Sequence, residues 1–198
     1  MATIGLDKPH YSKITKGEND VETYGTPAVL AKAISANINI NTVSGDLFAD
    51  DGNDESFDEF VDGTLSLNVN DLASSVLVDL LGMRIDKNGV IVSSAQDISN
   101  EVAIAFRARK ANGKYRYFWL LRVKFRVPSS AFTTKSNSIT FNTPTIEGKI
   151  MRQNKVDSMG RNNWKQEITE GDTGVSKTTI DNWFNEVYEP DFSAVGGD

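Results

Sequence analysis

The chain reads as mainly β, a sandwich or barrel with two short helices. Three observations predict this class. Residues 33–42 (AISANININT) and 64–70 (TLSLNVN) alternate apolar and polar side chains with the period of two expected of a strand with one wet face. Asn88-Gly89 and Asn112-Gly113 each stand between two β-like runs, which is the turn chemistry of hairpins. Only two segments carry a helical stripe, and both are short.

In chain order, residues 1–27 are polar, rich in Gly and Thr and without sustained period, so an extended arm is expected. In the strand that follows, Ile34, Ala36, Ile38 and Ile40 oppose Ser35, Asn37, Asn39 and Asn41. Residues 44–63 (SGDLFADDGNDESFDEFVDG) cluster acids with Phe and Gly and read as a long acidic loop, longer than most structureless connections. Leu47, Phe48, Phe57 and Phe60 have no reason to stand on a permanently solvated loop. With Asp46, Asp50, Asp51, Asp54, Glu55, Asp58, Glu59 and Asp62 they form a candidate assembly loop. Leu65, Leu67 and Val69 line one face of the next strand. Asn70 can then cap a flanking helix whose Ala73, Val76, Leu77, Leu80 and Leu81 form a stripe ended by Gly82.

Residues 83–93 hold the first hairpin, and EVAIAFRARKANGKYRYFWLLRVKFRVP holds the second. A two-residue turn at Asn112-Gly113 places Ala111 opposite Lys114. Phe106 then faces Trp119, Ile104 faces Leu121, Val102 faces Val123 and Ala108 faces Tyr117. On the other face Arg109 opposes Arg116, Arg107 opposes Phe118 and Glu101 opposes Lys124. Residues 132–150 read as a further strand pair broken by Pro144, and residues 151–177 as a polar stretch anchored by Trp164 and Ile168. In TTIDNWFNEVYEP, the spacing of Ile180, Trp183, Phe184, Val187 and Tyr188 predicts a C-terminal amphipathic helix stopped by Pro190. Residues 191–198 read as a loose tail. No repeat of solenoid period divides the chain, so residues 1–198 are read as one domain.

At 198 residues and 21.8 kDa, the chain can bury a core without metals or cross-links. A hydrophobic content of 39% and a mean hydropathy of −0.35 are ordinary for a globular protein. No apolar run reaches membrane-spanning or signal-peptide length, so synthesis in a cytoplasm and no membrane partner are expected. Zero cysteines exclude disulfides, thiolate metal sites and cysteine nucleophiles, and the single His10 leaves no imidazole cluster. No catalytic, cofactor-binding or metal-ligating set is expected. The net charge of −6 hides two blocks. Between Lys32 and Arg84 there is no Lys or Arg, only acids; between Glu101 and Arg126 the bases dominate. Of these, Arg107, Arg109, Lys110, Lys114 and Arg116 form a candidate basic hairpin tip. The blocks are either solvated faces or surfaces that meet.

Phosphate-loop, dinucleotide, zincin and nucleophile-elbow motifs are absent. The acidic segment does not follow the EF-hand order, since counting back from Gly52 puts Leu47 where the first Asp ligand belongs. Asp58 and Glu59 could serve as glycosidase carboxylates only at a separation that sequence does not set. Single-strand nucleic-acid binding would need cations and aromatics on one face, and the expected register separates them. A β-sandwich carbohydrate-binding module remains the alternative, using Trp119, Trp164 and Trp183 as a platform, although Trp119 and Trp183 fall on apolar faces.

Several segments carry a resemblance. GLDKPHYSKIT near the amino end, TYGTPAVLAKAISANINI, LLG at residues 80–82 with the NG hairpin after it, EVAIAFRARKANGKYRYFWLLRVKFRVPS and TTKSNSITFNTPTIEGKI occur in this order. Together, over about residues 3–165, they resemble the major tail proteins, or tail tube proteins, of long non-contractile tailed bacteriophages of Gram-positive hosts. The resemblance implies a tail-tube-type β-sandwich or barrel with a flanking helix and a long inter-subunit loop. It implies a virion protein that self-assembles, in the host cytoplasm, into hexameric rings stacked as a tube for DNA ejection. Tape measure, tail terminator and distal tail proteins are the implied partners, with genomic DNA passing through without specific binding. No enzyme activity and no cofactor are implied. The residues after Pro190 leave no room for the immunoglobulin-like domain that some members append, so a surface-decoration role is not expected.

Overall fold

The computed structural model describes residues 2–18, 21–49, 52–129 and 143–192. It is mainly β and antiparallel. The strands are β1 (Thr3–Lys16), β2 (Glu22–Tyr24), β3 (Ala28–Val29), β4 (Ala33–Ala49), β5 (Gly52–Val69), β6 (Arg84–Ile85), β7 (Ile91–Val92), β8 (Glu101–Lys110), β9 (Tyr115–Phe125), β10 (Thr145–Ile150) and β11 (Lys165–Thr169), with helices α1 (Ser74–Leu81) and α2 (Lys177–Asn182). The main sheet runs β2-β1-β8-β9-β10-β5-β4, with β3 beside β1 and β11 beside β9; β6 and β7 form a separate hairpin on Asn88-Gly89. Since β3 leaves the β1 edge and becomes β4 within three residues, the two ends of the sheet are tied by one bent strand. Leu30 is buried at that corner, and its amide donates to the Pro9 carbonyl.

Inside the curl lies a cluster of Tyr11, Leu30, Leu65, Leu67, Val69, Ile104, Phe106, Leu120, Val123, Ile146 and Ile150, closed by Val76, Leu80 and Leu81 of α1. Of the stripe expected of α1, Val76, Leu77, Leu80 and Leu81 pack, while Ala73 is exposed. Its start differs: the N-cap is Ala73, and the Asn70 side chain accepts the Lys32 amide instead, fastening the helix entry to the β3–β4 corner. Gly82 ends the helix in the left-handed region at φ 69°, and a Cβ there would lie 2.2 Å from the Ile98 carbonyl oxygen. A second cluster covers the other face of β8 and β9, where Ala103, Ala105, Tyr117, Trp119 and Leu121 meet Trp183 and Val187. The small alanines of β8 leave the space that the aromatic rings fill.

Three expectations are corrected here. The arm expected at residues 1–27 is largely strand: β1 lies between β8 and the β2 and β3 segments. Its period was hidden because a bulge at Lys8–Pro9, where proline offers no N–H to the ladder, shifts the register between Asp7 and His10. The C-terminal helix stops at Asn182 rather than running to Tyr188. The Trp183 carbonyl accepts the buried Trp119 indole N–H at 3.1 Å, a tertiary bond that takes the place of helix continuation, while Ile180, Trp183, Phe184 and Val187 of the expected stripe still face the sheet and Tyr188 is exposed. The first strand expected within residues 132–150 and the end of the tail at 193–198 lie outside the described residues; β10 is the second strand of that pair.

The third correction concerns the long hairpin. Its turn has three residues, not two: Lys110 N–H donates to the Lys114 carbonyl and Gly113 N–H to the Lys110 carbonyl, with Gly113 at φ 83°. Arg109 therefore pairs with Tyr115, Arg107 with Tyr117, and Phe106 with Phe118. The expected pairs Glu101–Lys124 and Val102–Val123 do form at the base, because a bulge in β9 between Leu120 and Val123 restores that register. The bulge brings Arg122 into a network. Its Nε and Nη2 donate to Glu101 at 3.0 and 2.8 Å, its Nη1 donates to Asn154 Oδ1 at 2.7 Å, and Glu22 lies at 3.5 Å with a fully buried side chain. Burial raises the Glu101 carboxyl, but hydrogen bonds from Arg122 and Lys16 outweigh it and hold it below the usual range. Asp79 is likewise opposed by burial yet lowered by bonds from Tyr11 and Lys13, which joins α1 to β1.

Two predictions follow from this network. Arg122→Met leaves Glu22 buried without a countercharge and should cost about 3 kcal/mol, whereas adding Glu22→Gln and Glu101→Gln to it should recover part of the loss. Urea denaturation of the three chains checks this, and a single variant as stable as the triple one would contradict it. Stability should also depend on pH at both ends. Asp79 and Glu101, depressed in the folded state, contribute above about pH 4 and lose that contribution as pH falls through their folded values. Tyr11 and Tyr24, raised chiefly by burial, stay neutral while unfolded tyrosines ionise, so stability should also fall above about pH 10. Denaturation midpoints that stay flat from pH 2 to 11 would contradict both signs.

Candidate assembly surface

The segment expected as an acidic loop is the far half of a β-ribbon. β10 pairs with β5 only from Gly63 to Asn68, while β4 and β5 continue paired as far as Ala49 and Gly52. Among the described residues, the ribbon beyond Asp62 therefore has two strands and two edges, and from Asn41 to Ala49 it extends roughly 27 Å at strand rise. Asp50 and Asp51 lie outside the described residues, as do the side chains of Asp46, Leu47, Phe48, Asp54 and Glu55. The Asp51-Gly52 dipeptide was the available signal for a hairpin. A parity change hid it, since the extra residue Val61 in β5, between the Asn41–Asp62 and Thr42–Phe60 pairs, breaks the alternation that Leu65, Leu67 and Val69 set.

Alternation places Val43, Phe57, Glu59 and Val61 on one ribbon face, with Gly45 opposite Phe57. Phe57, Val43 and Val61 are 60%, 53% and 53% exposed. Phe60 is on the other face and stacks on Trp164, with ring centroids 4.6 Å apart and planes 2° apart. At the ribbon's root, Asp62 takes hydrogen bonds from Lys149 and from Asn41, both at 2.7 Å, and these hold its carboxyl below the usual range. Glu59 meets Arg152 at 3.7 Å. Sequence reasoning named Phe57 and Phe60 but missed Val43, Val61 and the two clamping cations.

The basic tip is built differently from the expectation. Arg107 makes a bidentate pair with Asp7 of β1 at 2.6 and 2.8 Å and lies 3.9 Å from the Tyr115 ring centre. The hydrogen bond to Asp7 raises its pKa despite burial. Arg116 Nε donates to Thr169 Oγ1 at 3.2 Å. With Arg109 opposite Tyr115, the like-charge pair expected between Arg109 and Arg116 does not form. Among the described residues, Arg109, Lys110 and Lys114 make no ion pair, and none joins the ribbon to the tip.

Other features bear on the remaining readings. Trp119 and Trp183 are buried and Trp164 is stacked, so they form no open platform for a sugar. A cleft of about 480 Å³ lies between β11 and α2, lined by Gln166, Ile168, Trp183 and Tyr188 among others. Among the described residues, no three acidic or histidine side chains converge to hold a metal ion, and no helix is long and apolar enough to cross a membrane. No protein-family model matches the chain, and no curated protein matches it.

The Phe60–Trp164 stack couples the ribbon to the body, so Phe60→Ala should speed amide exchange of residues 42–45 and 57–61 while exchange in β8 and β9 stays unchanged. Unaltered exchange in the ribbon would show that the stack does not hold it.

Proposed function

We propose that this chain is the structural subunit of a bacteriophage tail tube, assembling with copies of itself into hexameric rings that stack around a channel for DNA delivery. The observation that carries this reading is the ribbon. A two-stranded ribbon is marginal by itself in water, and this one bears Val43, Phe57 and Val61 exposed on a single face. Soluble monomers rarely keep such strips uncovered. Burying each of these side chains against a neighbour would contribute about 1.5 to 3 kcal/mol before the costs of association. The ordered likeness of residues 3–165 to tail tube proteins supports the same reading. In it the ribbon reaches an adjacent subunit, the curled sheet forms the wall, no reaction is catalysed and no cofactor is bound. The tube belongs to the virion tail, and DNA passes through it without specific binding.

The test is self-association. Concentrated purified chain should form rings or tubes about 100 Å wide by electron microscopy, the scale of six domains of this size around a channel. Val43→Ser with Phe57→Ser should abolish these particles while leaving the monomer's melting temperature nearly unchanged, because both side chains are already exposed. A wild-type chain that sediments as a monomer at every concentration and salt would overturn the reading.

A further inference from the structure

The ribbon and the β8–β9 hairpin point the same way. Val123, Ile150 and Gly63 lie side by side on one rung of the sheet. From that rung β9 runs back roughly 30 Å to its turn, and β5 runs back roughly 36 Å to Gly52, both in one direction. The two ends thus reach nearly the same level at one end of the molecule, and they carry opposite charge. The ribbon end holds Asp46, Asp54, Glu55 and Asp58 in a stretch with no Lys or Arg, and Asp58 is exposed. The hairpin end holds Arg109, Lys110 and Lys114, which make no ion pair among the described residues.

The two ends are built unlike each other. The hairpin end is flanked by the start of β1, with Thr3 opposite Lys110 and the Ala111 amide donating to the Ala2 carbonyl, and by β11 on the other side. It is a firm, multi-stranded edge. Among the described residues, the ribbon end has two strands. Within one chain β11 occupies the strand position beside β9, so the ribbon stands at least two strand spacings, about 10 Å, from the cations. Among the described residues, no ion pair crosses this gap.

We infer that the acidic end of the ribbon docks on the Arg109, Lys110 and Lys114 end of the hairpin in an adjacent copy of this chain. Because both ends lie at nearly one level, rotating one copy onto the next about an axis parallel to the strands brings donor and acceptor together with a shift of about 6 Å or less along that axis. Such a contact uses different surfaces on the two copies, and a rotation that divides a full turn closes it into a ring. The inference rests on the proposed function only in requiring a second copy, and it adds the location of the contact and its dependence on charge. The apolar strip of Val43, Phe57 and Val61 supplies area, and the charges select which edge the ribbon meets.

The experiment compares four chains by sedimentation and electron microscopy at low and high salt: wild type, Arg109→Glu/Lys110→Glu/Lys114→Glu, Asp54→Lys/Glu55→Lys/Asp58→Lys, and both sets together. Each triple reversal should lower the assembled fraction at low salt about tenfold or more, the weight of three exposed ion pairs. The combined chain should recover it, since its charges match again. Because the chain has no cysteine, a second readout needs no background correction. Asp58→Cys in one chain mixed with Lys110→Cys in another should give a disulfide-linked dimer under oxidation, and Asp58→Cys mixed with Arg84→Cys should not. Wild type that assembles while both triple reversals assemble equally well, or equal cross-linking in the two mixtures, overturns the docking and leaves the proposed function standing. Wild type that never assembles overturns both.

Discussion

Burial of β8 and β9 on both faces is the constraint from which the rest of this architecture follows. Ile104, Phe106 and Leu120 need cover on one side while Trp119, Leu121 and Tyr117 need it on the other. The first demand is met by curling the sheet until β3 and β4 bridge its ends and by closing the interior with α1. The second is met by the chain after β11, which lays Trp183 and Val187 across the outer face. The reciprocal indole bonds, Trp119 to the Trp183 carbonyl and Trp183 to the Phe118 carbonyl, leave neither buried N–H unpaired. With both faces covered, the polar groups that must still be buried converge at the β9 bulge, where Arg122 serves Glu101 and Glu22 together. An ion pair in that position is weak support for net stability, but it tolerates the loss of no single member.

The ribbon is what this arrangement leaves over. β5 gains a second neighbour only where β10 reaches, and β10 ends at Ile150. Past that point backbone pairing continues, with Phe60 packed on Trp164 and, on the other face, Val43, Phe57 and Val61 exposed. Lys149, Arg152 and Trp164 fasten its root to the body, and Asn41 braces Asp62 from within the ribbon. A segment with strand pairing, exposed apolar groups on one face and a run of acids with no Lys or Arg among them resembles half of an interface. That combination, rather than any reactive group, is why assembly is the reading that fits.

The cations of the hairpin were less available than their number in the sequence implied. Arg107 is committed to Asp7 and Tyr115, and Arg116 is tied to Thr169. What remains free for another molecule is a smaller group at the turn, held on a rigid edge. Such division is invisible in a count of charges, because it depends on which strand lies next to which.

The sequence by itself determined the class and most of the elements. The strand of Leu65, Leu67 and Val69, the α1 stripe with its Gly82 stop, both Asn-Gly hairpins and the apolar positions of the C-terminal segment are local patterns, and each is set by residues within one or two turns of one another. Tertiary structure alone decided register and continuation. In β8 and β9 apolar residues stand at both parities, so alternation could not distinguish Phe106 beside Trp119 from Phe106 beside Phe118; the three-residue turn and the β9 bulge made that choice. In β1 the bulge at Lys8–Pro9 cut the period. In residues 44–63 acids and glycines concealed strands that form because each is the other's pairing partner, and in residues 183–188 a hydrogen bond to Trp119 overrode helical spacing. Each of these depends on a partner distant in sequence, and a local pattern contains no information about which distant partner arrives.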